Sequence, residues 1–229
     1  MRRILTMLCA LVLLSTLLGA AAFLAQHRQR IRGQPSELPP ASLNPRPANL
    51  YGVNVALFSK APTSRDEALA LTATSGFGWV RQTFQWREHG FDWKATDDIV
   101  AAVIAHELRL IAVLSGERAP ENPIAFAEFA ARFADRYADT VDVYQIWDDP
   151  NLQTGWGDTP SAAAYGRLLA ASHEAIHQAD ASSTVLLAGL APTVETGPEN
   201  ISDLLFLRQL YAVGAAPFFD AAAGKPYAY

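Results

Sequence analysis

Two stretches of this sequence place reactive side chains at spacings that matter for chemistry. In Tyr144-Gln145-Ile146-Trp147-Asp148-Asp149-Pro150-Asn151, two carboxylates stand side by side at the end of a β-rich run. If they converge, their repulsion raises one pKa and suits that group to general-acid work. If the strand pleat holds, they point apart. Asp, Pro and Asn are also the residues of a plain turn. In His173-Glu174-Ala175-Ile176-His177, two imidazoles lie one helical turn apart with a glutamate between them. That is the H-E-x-x-H spacing by which a helix holds zinc.

A helical wheel argues against the zinc reading. Tyr165, Leu168, Leu169, Ile176 and Ala179 share the buried face, His173 and His177 fall on its flank, and Glu174 lies with Arg167 and Gln178 on the solvent side. A zinc-hydrolase helix turns all three groups into a cleft, and His177-Gln178-Ala179-Asp180 offers no evident third ligand. The expectation is a solvated helix face with both imidazoles more than about one third exposed, and no metal.

From residue 50 the hydrophobic pattern alternates strand and helix. Expected strands are Tyr51–Leu57, Trp79–Phe84, Arg109–Leu114, Val141–Trp147, Thr184–Leu190 and Phe218–Ala223. Between them, Ser64-Arg65-Asp66-Glu67 reads as a capping box for a helix through Leu71, and Thr96-Asp97-Asp98 as the cap of a helix through His106. Asn122-Pro123 opens a helix with Phe126, Phe129, Ala130, Phe133 and Tyr137 on one face. Further helices span Ser161–Ala179 and about Ser202–Val213, the latter stopped by Gly214. Six βα units with short connections imply a parallel sheet. A doubly wound sheet stays open as an alternative, but no glycine-rich loop follows the first strand. Units near 30 residues fit a barrel of roughly 250 residues, and about 180 follow the N-terminal region. The expected fold class is therefore α/β, an incomplete (β/α)₈ TIM barrel lacking strands seven and eight.

The Trp147-Asp148-Asp149-Pro150-Asn151 segment resembles the fourth-strand motif of clan A glycoside hydrolases, nearest to the family 39 type, which reads Trp-Asn-Glu-Pro-Asn. Tyr51-Gly52-Val53-Asn54 is similar to that family's first strand and Trp79-Val80-Arg81 to its second. Phe219-Asp220 through Lys225-Pro226-Tyr227 is similar to the sixth, with lysine where many members carry histidine. The resemblance implies hydrolysis of O-glycosidic bonds in extracellular glycans. It puts Asp149 in the catalytic acid/base position and Asp148 in that of an asparagine that binds the sugar 2-hydroxyl. Arg81, Lys225 and Tyr227 then belong to the substrate-binding site, Arg81 as an ion-pair partner. Trp86 and Trp156, with Tyr227, are expected in loops on the same face, stacking on sugar rings or packing the barrel top. No cofactor is implied. Asp149 is one methylene shorter than the family's glutamate, enough to move a carboxyl about 1–1.5 Å from a glycosidic oxygen. A retaining glycosidase also needs a second carboxyl about 5–5.5 Å away. The family supplies it from strand seven, and nothing marks Glu117 or Glu195 for the role. The alternative is a non-catalytic carbohydrate-binding or scaffolding relative.

Half of the 229 residues are hydrophobic, enough for a core. From residue 50 onward 12 basic face 22 acidic residues, a formal charge of −10. That balance argues against nucleic acid or anionic lipid as partners of this part and suits a neutral carbohydrate substrate. The N-terminus differs. Arg2 and Arg3 precede an apolar run from Ile4 to Ala25, close to the roughly 20 residues that span a bilayer. Residues 1–25 are expected to be a signal anchor or signal peptide, residues 26–49 a proline-rich linker, and residues 50–229 the barrel domain. Arginines on both sides of the run give the positive-inside rule no vote. The expected location is the cell membrane, through this N-terminal helix, with the domain outside, or secretion. Cys9, the sole cysteine, lies within the apolar run, so no intrachain disulfide staples the domain.

Overall fold

The computed structural model describes residues 15–16, 18–24, 50–88 and 90–226. The chain divides into two units, Met1–Pro45 and Arg46–Tyr229. In the first, residues 15–16 and 18–24 are helical. Most of the expected anchor over 1–25 and all of the linker over 26–49 lie outside the described residues. Among the described residues, no helix is long and apolar enough to cross a membrane.

The second unit is an α/β layer structure. Its strands are β1 (Gly52–Val55), β2 (Trp79–Trp86), β3 (Arg109–Gly116), β4 (Val143–Ile146), β5 (Thr184–Leu187) and β6 (Ala221–Ala222). They pair in chain order, and every neighbouring pair is parallel. The helices are α1 (Pro62–Thr74), α2 (Trp93–Ala105), α3 (Pro123–Tyr137), α4 (Gln153–Trp156), α5 (Ala162–Ala179) and α6 (Asp203–Ala212). A parallel crossover is right-handed in nearly every protein, so crossovers that always advance to the next strand lay their helices on one face of the sheet. A doubly wound sheet reverses its strand order to cover both faces. No reversal occurs here, and the arrangement is that of six consecutive barrel strands.

Burial along the strands follows from this. Val80, Gln82 and Phe84 of β2, and Val185 and Leu187 of β5, lie under the helices and are buried. Their inward neighbours Trp79, Arg81, Thr184 and Leu186 are only half-buried, and Asn54 is exposed. These inner positions, with Ile111 and Val143, line an open cavity of about 510 Å³. In a closed barrel the inner face is packed with side chains from all strands.

The core between sheet and helices is aromatic. Phe126, Phe129, Ala130, Phe133 and Tyr137 of α3 are all buried, as the helical spacing predicts. Phe133 meets Phe84 at 4.9 Å and Tyr137 at 4.7 Å between ring centres. Asn122 caps this helix by accepting from the Ile124 N–H, with Pro123 following.

Other ends differ from expectation. α1 starts at Pro62 after Ala61 and runs to Thr74, so the Ser64–Glu67 box lies inside the helix and caps nothing. α2 is capped by Asp92, which accepts from the Ala95 N–H. Asp97 instead accepts two hydrogen bonds from Arg136 (2.7 and 2.6 Å) and one from Tyr137 (2.7 Å), joining α2 to α3. Strand one and strands four to six are shorter than predicted, and α4 was not anticipated at all.

Phe133→Ala should cost about 3–5 kcal/mol in a denaturant titration, the range for emptying a buried aromatic site. Arg136, and then Tyr137, hold the Asp97 carboxyl at about 2. Its stabilisation is therefore present above the ordinary aspartate range and is lost as pH falls toward 2. The pair is more than a third exposed, so solvent screening keeps the contribution small. Asp97→Asn should lower neutral-pH stability slightly and flatten the acid dependence of Tm between about pH 4 and 2.

Candidate functional site

The carboxyl ends of parallel strands, where the chain leaves each strand for its helix, form the face on which α/β barrels place chemistry. β4 ends there at Ile146, and the backbone then turns sharply. Trp147 has φ +70° and Asp149 φ +50°, both in the left-handed region that side chains disfavour. Surrounding contacts hold this turn. The Trp147 N–H donates to Leu114 O at 2.8 Å and its indole N–H to Gly155 O at 2.9 Å. The Asp149 N–H donates to Gly189 O at 3.1 Å. Asn151 is fully buried; its amide donates to Ala191 O and Ile201 O and accepts from the Ala191 N–H. Below them, the buried Tyr165 hydroxyl donates to Ile146 O (2.9 Å) and accepts from the Ala188 N–H (2.8 Å), clamping the ends of β4 and β5.

The left-handed turn decides the question left open by the adjacent aspartates: their side chains converge. Lys225 Nζ lies 2.6 Å from Asp149 Oδ1 and 3.0 Å from Asp148 Oδ1. Arg81 reaches Asp148 Oδ1 from β2 at 3.0 Å. Gln145 orders the group from below, accepting from Arg81 Nε at 3.1 Å and donating to Trp147 O at 2.7 Å. Asn54 Oδ1 accepts from Arg81 NH1 at 3.3 Å. Two acids and two bases thus form one partly buried network with Lys225 at its centre. Arg81 takes the ion-pair role read from the sequence; Gln145 was missed, because an inward glutamine on a strand carries no motif.

Burial pushes the Asp149 carboxyl above its ordinary range, outweighing the Lys225 contact, and the Asp148 charge adds to the rise. For Lys225, burial alone would lower the pKa. The hydrogen bond and charge of Asp149, with those of Asp148, more than offset that, and the ammonium stays protonated. The arrangement can donate hydrogen bonds from Arg81 and Lys225 to a hydroxyl-rich ligand. It can also hold a carboxyl whose proton is easier to keep than usual.

The remaining expected site residues are not part of this network. Trp156 is 3% exposed, with its ring 5.1 Å from Trp147 and 6.0 Å from Tyr165. It packs the loop layer and only borders the crevice beside Trp86. Trp86 is half-buried against Phe126 and lines a crevice of about 660 Å³ with Glu117 and Arg118; none of Arg81, Asp148, Asp149 and Lys225 lines it. Glu117 is exposed beside Arg87, and Glu195 accepts from Asn200. Neither shares a partner with Asp149. Tyr227 lies outside the described residues.

The helix with the two histidines departs from the wheel. The His173 and His177 side chains are 20% and 26% exposed, not the solvated pair expected, and both face Asp220. The wheel describes one helix, and it could not see the strand start that packs against its flank.

No protein-family model matches this sequence, and neither does any curated protein. Solved structures do match in fold. A β-galactosidase from the psychrophilic Marinomonas ef1 superposes with a TM-score of 0.57 at 9% identity, over 77% of this chain and 40% of that one. A fungal β-1,4-galactanase gives 0.57 at 14% identity, over 78% and 64%. An endo-1,4-β-mannanase from Eisenia fetida gives 0.51 at 10%, over 73% and 62%. The chain thus spans less than two thirds of the length of each of these glycoside hydrolases. At such identities the likeness establishes the fold: α/β, with six parallel strands arranged as in part of a TIM barrel.

Lys225→Met should destabilise the protein at neutral pH by about 1–3 kcal/mol, since two partly buried carboxylates lose their shared donor. Without the lysine, Asp149 titrates higher still. A carboxyl with a raised pKa costs stability as pH rises through that pKa. The gap between variant and parent, followed by Tm, should therefore narrow on acidification into the carboxylate range and widen above it.

Proposed function

We propose that this chain carries the greater part of a glycoside-hydrolase-like barrel acting on O-glycosidic bonds of extracytoplasmic glycans. The supporting observation is the convergence of Asp148 and Asp149 with Arg81 and Lys225 at the carboxyl end of a parallel sheet whose strands follow chain order. In this reading Asp149 is the acid/base, and its raised pKa keeps a proton available for a leaving oxygen. Asp148 and Lys225 meet sugar hydroxyls, and Arg81 orients Asp148. The second carboxylate, and two further strands closing the open inner face, would complete the site. In this reading the 229 residues alone lack turnover, because without that second carboxylate no glycosyl-enzyme intermediate can form. Residues 50–229 act as one domain. The apolar run after Arg2 and Arg3 would export or tether it, with residues 26–49 as a spacer. Its acidic balance disfavours nucleic acid as a partner.

One observation favours a second reading, a non-catalytic carbohydrate-binding relative. At 2.6 Å, Lys225 occupies the Asp149 oxygen that would hold the catalytic proton.

The test compares this chain with a form carried to the end of its reading frame, on a panel of aryl glycosides. The long form should turn over, and Asp149→Asn should reduce kcat by at least about 10²-fold. Turnover by the short form, lost on Asp149→Asn, would overturn the need for closing strands and send the search for a nucleophile back to Glu117 and Glu195. A folded long form that binds oligosaccharides without turnover would establish the second reading.

A further inference from the structure

The histidines of α5 lie far from the aspartate network. Asp220 immediately precedes β6 and pairs with Val185 of β5. Its N–H donates to Val185 O at 2.8 Å, and its Oδ2 accepts from the Val185 N–H at 2.7 Å. Val185 faces the helices, and the strands begin at this end. The Asp220 carboxylate therefore sits on the helix side of the sheet, at the opposite end from Asp148 and Asp149.

Three ligand-type groups meet there. His177 Nε2 is 3.6 Å from Asp220 Oδ2, and His173 Nε2 is 3.9 Å from Asp220 Oδ1. The two imidazole rings lie tilted at 41° with centres 4.2 Å apart. One ligand atom from each residue falls within 4.8 Å of the other two. A tetrahedral zinc with arms of about 2.0–2.1 Å holds its ligand atoms about 3.3 Å apart, so small side-chain rotations would close the set.

The outer contacts suit a metal. His177 Nδ1 lies 3.0 Å from the His173 carbonyl oxygen. Donation there puts the proton on Nδ1 and leaves the Nε2 lone pair facing Asp220, the orientation that metal-bound histidines receive from a carbonyl partner. The Asp220 side chain is 41% exposed, which leaves a way in for the ion and for a water as fourth ligand.

We propose that His173, His177 and Asp220 form a binding site for a divalent transition-metal ion, with zinc as the best match to two imidazoles and a carboxylate. Calcium and magnesium prefer all-oxygen sets. The ion would link α5 to the start of β6, a strand of two residues. Its role is to fasten β6 to α5, and Glu174, exposed on the far side of the turn, takes no part.

The test uses the full chain after chelation and dialysis, titrated with zinc chloride by calorimetry and followed by Tm. One equivalent should bind and Tm should rise by several degrees. His173→Gln and His177→Gln, each checked for folding by circular dichroism, should weaken zinc binding at least tenfold and abolish the Tm shift. Cobalt(II) should give the visible absorption of a tetrahedral site in the parent protein and lose it in both variants. A second measurement needs no variant: saturating zinc should protect His173 and His177, but not His106, from acylation by diethyl pyrocarbonate, read by mass spectrometry. Absence of stoichiometric binding, binding unchanged in the variants, or equal acylation with and without zinc would each overturn the site.

Discussion

Parallel strands that pair in chain order impose a constraint felt throughout this domain. Each connection must return over the same face, so the crossover helices stack on one side and every strand has an outer and an inner surface. The outer surface holds the aromatic core of α3 and the fully buried α5 residues Tyr165 and Leu169. The inner surface holds the polar side chains Asn54, Arg81 and Gln145; Asn54 accepts from Arg81, and Arg81 and Gln145 reach Asp148 at the carboxyl ends of the strands. The same geometry turns Asp220 outward to α5 while Asp148 and Asp149 face Lys225 at the other end. Two polar clusters at opposite ends of one sheet follow from strand register.

The aspartate network depends on a backbone that abandons the strand. A continued pleat would send Asp148 and Asp149 to opposite faces. Left-handed conformations at Trp147 and Asp149 cost energy at non-glycine residues, on the order of 1–3 kcal/mol each. They persist because Asn151, Tyr165, Gly155 and Gly189 fix both the peptide groups and the indole. A strained turn kept in place by buried hydrogen bonds, carrying two carboxylates with a raised pKa on one of them, is the local signature expected of a working site.

Much of this was legible in the residues. Trp79, Arg109 and Thr184 begin strands as the β-rich runs predicted, and Asn122-Pro123 opens α3 as its types demand. The Trp-Asp-Asp-Pro-Asn segment pointed to the end of β4, and Arg81 and Lys225 were paired with it by resemblance. What escaped was tertiary. Asp97 looks like a cap but serves Arg136 and Tyr137 across a helix interface, while the cap itself falls to Asp92. Trp156 reads from the sequence as a loop residue, where exposure is the usual guess, yet it ends the short helix α4 and packs against Trp147. The histidine pair gained its carboxylate from Asp220, far along the chain, so no local spacing rule could have supplied the third group.

A crystal structure of the protein with a bound oligosaccharide tests the account most directly. The account predicts a sugar ring against Asp149, with Arg81 and Lys225 around Asp148. It also predicts a carboxylate from a seventh strand about 5–5.5 Å from Asp149, across the scissile bond. A sugar bound elsewhere, with the Asp148–Asp149 network untouched and the inner face of the sheet covered by something other than strands, would contradict it.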